Sequence, residues 1–132
     1  EVLRIPLWRV KIAGYSLDVN AALFPILGFL IGSIPFGFFI AKSRGIDIRE
    51  HGSGNIGATN VLRVVGKKYG IACFILDFLK GLLPVVLAKS LLGAEVEQRD
   101  VWEVATGLAT ILGHNYTPWL GFKGGKGIAS SA

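Results

Sequence analysis

From Ala21 to Ala41 the chain carries no charged side chain at all. A helix over that stretch is long enough to cross a hydrocarbon layer of roughly 30 Å. In lipid the backbone must satisfy its own hydrogen bonds, so a helix is the form expected. The run also holds Pro25, Pro35, Gly28, Gly32 and Gly37, residue types commoner in membrane helices than in soluble ones. A cleaved secretory leader would pair a shorter apolar stretch with a small-residue cleavage site, and none stands out.

Composition agrees. A mean hydropathy of +0.55 with 17% charged residues lies far from a soluble domain, and 132 residues make one domain. The net charge of +5 does not indicate nucleic acid, because the basic residues flank apolar segments instead of interleaving with aromatics. The lone Cys73 lies in an apolar stretch and is read as a buried hydrophobe. The chain has no Met, begins at Glu1 and ends at Ser130-Ser131-Ala132, so a fragment of a longer protein is expected.

The fold class expected is all-α, a polytopic membrane helix bundle with about three spans, forming a single membrane domain over 1–132. The spans are placed at 21–41, 69–88 and 101–119, after an N-terminal extension at 1–20. Trp102 and Trp119 would lie roughly 25 Å apart on one helix, as interfacial belts do. Residues 42–68 carry Lys42, Arg44, Arg49, Arg63, Lys67 and Lys68. The positive-inside rule therefore assigns them to the cytoplasm, and three spans return 120–132 to that face. Arg4, Arg9 and Lys11 mildly oppose this. The stretch 3–17, with Trp8 and Tyr15, reads either as an interfacial segment or as an irregular extension.

Two glycine-rich basic loops then share one face. The first is Gly52-Ser53-Gly54-Asn55-Ile56-Gly57-Ala58-Thr59-Asn60, with Arg63 after it; the second is Gly121-Phe122-Lys123-Gly124-Gly125-Lys126-Gly127. Glycine lets backbone N–H groups crowd an anion, and Lys or Arg supplies countercharge. The first matches G-x-G-x-x-G, but a charged connector precedes it where a dinucleotide fold needs a strand. The second has three residues between its glycines where the nucleotide loop has four, and Gly127 stands where that loop needs Ser or Thr. A phosphate cradle without nucleotide hallmarks remains; the plainer alternative is glycine punctuation between helices. Within the second span Asp77 and Lys80 share a face at i, i+3 and can neutralise each other, either as a packing pair or with Lys80-Gly81 belonging to the site. His114 closes the third span near the second loop, as an interfacial residue or a functional one.

These motifs in this order resemble a known family: the bacterial membrane glycerol-3-phosphate acyltransferases that use acyl phosphate as donor. The resemblance runs from about Leu30 to Ala132, through Gly32-Ser33-Ile34-Pro35-Phe36-Gly37, Gly52 to Asn60 with Arg63, Asp77 with Lys80-Gly81, Gly113-His114, and Phe122 to Ala129. It implies a seven-helix bundle in the bacterial cytoplasmic membrane, its active site facing the cytoplasm. The implied reaction transfers a fatty acyl group from acyl phosphate to the 1-hydroxyl of sn-glycerol 3-phosphate, with neither coenzyme A nor acyl carrier protein as donor; no cofactor is expected, and no metal cluster is visible in the sequence. Ser53 and Arg63 match the family's essential serine and arginine, and His114 joins them as a catalytic candidate. Lys123, Gly124, Gly125, Lys126 and Gly127 match its glycerol-3-phosphate motif. Gly54, Asn55, Gly57, Thr59, Asn60, Lys80 and Gly81 complete the expected phosphate-binding set. The family's third cytoplasmic motif has no counterpart here, which implies incomplete catalysis by this chain alone. A membrane anion transporter or a non-enzymatic membrane subunit are the rival readings.

Overall fold

The computed structural model describes residues 8–126. A two-stranded antiparallel hairpin comes first, β1 (Arg9–Ile12) and β2 (Tyr15–Asp18), with Val10 opposite Leu17 and Ile12 opposite Tyr15. Its turn places Ala13 and Gly14 both at positive φ, the geometry that matches the strands' own twist. The fold is therefore mostly helical but not all-α. Alternating apolar and basic residues in 8–12 carry the period of a strand.

The apolar run from Ala21 is two helices, not one: α1 (Leu23–Gly32) and α2 (Phe36–Ser43). Pro35 offers no N–H and disfavours helical geometry at Ile34, so the break falls at Ser33-Ile34-Pro35. Its loose carbonyls are taken by side chains. Lys80 Nζ donates to Ile34 O at 2.7 Å, and the Thr117 hydroxyl donates to Ser33 O. Pro25 lies in the first turn of α1, where a missing N–H costs little.

After a short 3-10 turn (Ile48–Glu50) come α3 (Ala58–Val64), α4 (Lys67–Leu91) and α5 (Arg99–Asn115). The segment 42–68 is thus partly helical. Among the described residues two stretches are long and apolar enough to cross a membrane, Leu23–Ser43 and Lys67–Leu91. The third expected span is shorter than drawn, because α5 has 17 residues and ends at Asn115. Trp119 belongs to a separate 3-10 turn (Pro118–Leu120) and donates its indole N–H to Ser33 Oγ at 3.2 Å. The two tryptophans therefore do not mark opposite ends of one helix.

Close packing ties α1 to α5. Gly28 and Gly32 form a small-xxx-small stripe against Thr106, Thr110 and Gly113; a Cβ on Gly32 would strike the Thr110 backbone, and one on Gly113 the backbone of Phe29. Lipid gives helices no hydrophobic reason to associate, so close backbone approach carries such contacts. One buried cluster (Ala41, Ile48, Ile56, Val61 and Cys73) underlies the first glycine loop. A second (Ala21, Ala88, Leu92 and Val96) fills the opposite end.

Candidate phosphate-binding site

A cavity of about 420 Å³ opens between the two glycine-rich segments, lined by Ser53, Asn55, Gly57, Ala58, Thr59, Asn60, Arg63, Phe74, Asp77, His114 and Lys126. Eight of the residues expected from sequence meet there: Ser53, Asn55, Gly57, Thr59, Asn60, Arg63, His114 and Lys126. Gly54, Lys80, Gly81, Lys123, Gly124 and Gly125 stand outside the lining, and Gly127 lies outside the described residues.

The first loop is wired to itself. Gly52 and Gly54 adopt positive φ, which glycine reaches without the steric cost a Cβ would add. Asn60, buried at the start of α3, accepts from Ser53 N at 3.1 Å. Its amide donates to His51 O at 3.0 Å, Asn55 O at 2.8 Å and, more weakly, Ile48 O at 3.4 Å. Asn55 Oδ1 accepts from Gly57 N at 2.8 Å, and Gly54 N donates to His51 O at 2.9 Å. His51 Nδ1 lies 2.9 Å from Asp47 O. That histidine, two residues from Ser53 in sequence, is engaged with the preceding turn.

The second loop is wired to α5. Gly124 N donates to Asn115 O at 2.9 Å and Gly125 N to His114 O at 3.0 Å, while Phe122 N reaches Thr117 O at 2.8 Å. These bonds satisfy carbonyls that a helix C-terminus leaves open. The expectation of a backbone N–H cradle is therefore not met at Ser53, Gly54, Gly57, Gly124 or Gly125, whose N–H groups already have partners within the chain. Glycine here serves tight approach: a Cβ on Gly125 would collide with His114 Nε2, and one on Gly124 with the carbonyl of His114. What the cavity offers an anion is therefore side chains. Arg63 and Lys126 line the cavity with no ion pair to any described residue.

Beneath them lies a buried charged group. Lys80 Nζ and Asp77 Oδ1 are 2.9 Å apart, each side chain 2% exposed, and His114 Nδ1 stands 3.9 Å from the same oxygen. That histidine separation is too long for a hydrogen bond. Cys73 Sγ lies 3.6 Å from Asp77 Oδ2. The pair neutralises itself, as the i, i+3 spacing allows. Lys80 also caps the broken first span, while Asp77 and His114 face the cavity. Asp77, Phe74 and Ala58 are lining residues that the sequence did not single out as site residues. For the first two the signal was present, since Phe74, Asp77 and Lys80 recur at i, i+3 on one face of α4.

At the outer margin of the first loop, Arg49 grips Asp47 at 2.7 Å and holds its carboxyl down at about 2.

Comparison with known proteins agrees with this arrangement. The family model for "Glycerol-3-phosphate acyltransferase" matches residues 22–132. The glycerol-3-phosphate acyltransferase of Aquifex aeolicus is 50% identical over 114 residues, covering 86% of this chain and 57% of that protein. The one from Geobacter metallireducens is 54% identical over 103 residues, 78% of this chain and 50% of its own length. Among solved structures, PlsY (YgiH), "an integral membrane glycerol 3-phosphate acyltransferase", superposes in its glycerol 3-phosphate form with a TM-score of 0.76 at 49% identity, covering 85% of this chain and 54% of that one. Its lysophosphatidic acid form gives 0.74 at 48% identity, with 85% and 53% covered. The chain spans little more than half the length of these relatives. With the family matched over most of its residues, this chain belongs to the glycerol-3-phosphate acyltransferases of the integral membrane type.

Proposed function

We propose that the protein transfers a fatty acyl group from an acyl phosphate to the 1-hydroxyl of sn-glycerol 3-phosphate. The acceptor oxygen attacks the acyl carbonyl carbon, the carbon–oxygen bond to phosphate breaks, and lysophosphatidic acid forms. The acceptor's hydroxyl proton ends on the released hydrogen phosphate. The observation that carries the reading is the shared cavity: it takes Ser53, Thr59 and Arg63 from one glycine segment and Lys126 from the other. Two cations with no ion pair among the described residues, set beside hydroxyls, suit phosphate groups, and Arg63 can hold one bidentately. Relatives bearing the enzyme's name, and a related structure with glycerol 3-phosphate, support the acceptor.

An acyl phosphate already carries a good leaving group, so the protein's work is alignment and charge stabilisation. Ser53 serves as a hydrogen-bonding ligand to phosphate or to the developing oxyanion. Arg63 and Lys126 neutralise the phosphates. Asn60 shapes the first loop, and His114, wedged under Gly125, sets the height of the second. Phe74 and the lipid-exposed side of α4 lead the acyl chain out toward hydrocarbon. The basic segment 42–68 orients the site toward the cytoplasm, in the bacterial inner membrane, with α5 as a third, short span. No metal is assigned a part.

The test supplies the full-length protein in membranes with palmitoyl phosphate and labelled glycerol 3-phosphate. Lysophosphatidic acid is expected. Arg63→Ala should lower kcat/KM by about 100-fold, the worth of a bidentate charged contact of about 3 kcal/mol. No product from the unaltered protein, or full activity in Arg63→Ala, overturns the assignment.

A further inference from the structure

The hairpin at 9–18 is built inside out for a protein surface in water. Strand pairing sorts its side chains onto two faces. One carries Val10 with Leu17 and Ile12 with Tyr15, flanked by Trp8 and Val19, which continue the pairing through Val19 N to Trp8 O. All six are exposed, Trp8 and Tyr15 by 70% and 67%. The other face carries Arg9, Lys11, Ser16 and Asp18, and this polar face is the one anchored to the body. Asp18 is 3% exposed, and the Arg9 guanidinium donates to Glu95 O, in the α4–α5 connection, at 2.8 Å.

Exposed leucines on α4 are explained by the hydrocarbon that a spanning helix meets; the hairpin lies outside both candidate spans. It is attached to the start of α1 and to the α4–α5 connection. The phosphate-binding cavity lies at the other end, beyond α2 and the C-terminus of α5. The family match begins at residue 22, so nothing in the shared part of the fold assigns the hairpin a role.

We propose that the hairpin is a lipid-surface anchor: its apolar face lies on the membrane interface at the end of the bundle remote from the cavity. Three features select that occupant. The chain enters its first span at Leu23, four residues past Val19, so the apolar face is continuous with a surface already in lipid. Trp8 and Tyr15 are the aromatics that favour the headgroup level. The apolar face carries no charged side chain, Arg9 and Lys11 both standing on the opposite one, so laying it on the interface buries no charge. Depth is limited too. Among the described residues no further strand pairs with either edge of the hairpin, which leaves N–H and C=O groups that hydrocarbon does not tolerate. The hairpin therefore rests among the headgroups and does not enter the core.

The experiment places a nitroxide at Val10, Lys11 or Ile12, one at a time through cysteine, in the full-length protein in vesicles of phosphatidylethanolamine and phosphatidylglycerol. Cys73 is buried and stays unlabelled. Collision rates with oxygen and with a water-soluble nickel chelate are then compared. The oxygen-to-nickel ratio should be several-fold higher at Val10 and Ile12 than at Lys11. Equal ratios with the chelate reaching all three would overturn the proposal, because the face would then meet water. Exclusion of both reagents from Val10 and Ile12 would also overturn it, because protein, from this polypeptide or a second copy, would then cover the face. If the label disturbs the strands, Trp8 emission in a full-length protein whose other tryptophans, Trp102 and Trp119 among them, are changed to Phe gives an independent reading. Quenching by lipids brominated near the headgroup supports the anchor, and its absence defeats it.

Discussion

The two glycine segments look alike in sequence and are held in opposite ways. The first is organised from inside: Asn60 gathers main-chain groups from residues 48 to 55, and Gly52 and Gly54 provide positive φ. The second is organised from below. It lies on the end of α5, with Gly124 and Gly125 chosen for their lack of a Cβ against His114. One loop carries its own template; the other borrows a helix terminus. Damage should therefore spread differently from each, with broader effects beneath the second.

The strongest break is expected from Lys80→Met. It leaves Asp77 buried without its cation and frees Ile34 O at the span break. Removing one partner of a buried pair costs on the order of 3–5 kcal/mol. Thermal stability in detergent should fall accordingly. The double variant Lys80→Met, Asp77→Leu should recover much of it, since an apolar pair of similar volume leaves no orphan charge. If the single variant is as stable as the original protein, the charged support under His114 contributes nothing.

Next is Gly124→Ala. The new methyl meets the His114 carbonyl, backbone that cannot swing aside, and overpacking of this kind costs about 1–3 kcal/mol. The KM for glycerol 3-phosphate should rise several-fold as Lys126 moves with the loop. Gly121→Ala makes the contrast within the same segment. Nothing lies within 4 Å of its added Cβ, but its φ is +64°, so the cost should stay near 1 kcal/mol and come from backbone alone. Equal effects from the two variants would mean that conformation, not space, selects both glycines.

Asn60→Ala tests the first loop. Its amide is the hub of residues 48–60, and buried groups left unmatched cost about 1–3 kcal/mol. Hydrogen exchange should accelerate at Ser53 and its neighbours while Gly124 and Gly125 remain protected. Asn60→Asp should not rescue, because a carboxylate cannot donate to His51 O or Asn55 O. Loss of protection in both loops together would join what the contact pattern separates.

Much of this was legible in the chain. A charge-free run marked the first candidate span, the two glycine-rich segments expected to act together meet at one cavity, and the i, i+3 spacing of Asp77 and Lys80 gave their ion pair. Three things were not, each for a physical reason. The break at Ser33–Pro35 depends on distant side chains, Lys80 and Thr117, that donate to its loose carbonyls, and hydropathy is blind to them. The hairpin rests on a period-two pattern too short to outweigh a neighbouring span. The direction of the glycine N–H groups was misjudged because glycine serves close packing and anion binding equally well, and only the position of α5 decides between them.

The smallest expected effect concerns pH, and it concerns the first loop alone. Arg49 bonds Asp47 through Nε at 2.9 Å and a second nitrogen at 2.7 Å, while Asp47 Oδ1 accepts from Arg49 N at 3.1 Å. The guanidinium bond, chief among these, lowers the carboxyl from 3.8 to about 2. A depressed folded value means that the stabilisation is present above the unfolded value and is lost only as pH falls through about 2. Between pH 7 and 4 the turn at 47–50 should therefore hold, and hydrogen exchange at Arg49, corrected for its intrinsic pH dependence, should not change. Because the pair is solvent-exposed, Asp47→Asn should alter stability little. A marked loosening of the first loop on acidification to pH 4 would show that a titrating group other than Asp47 supports it.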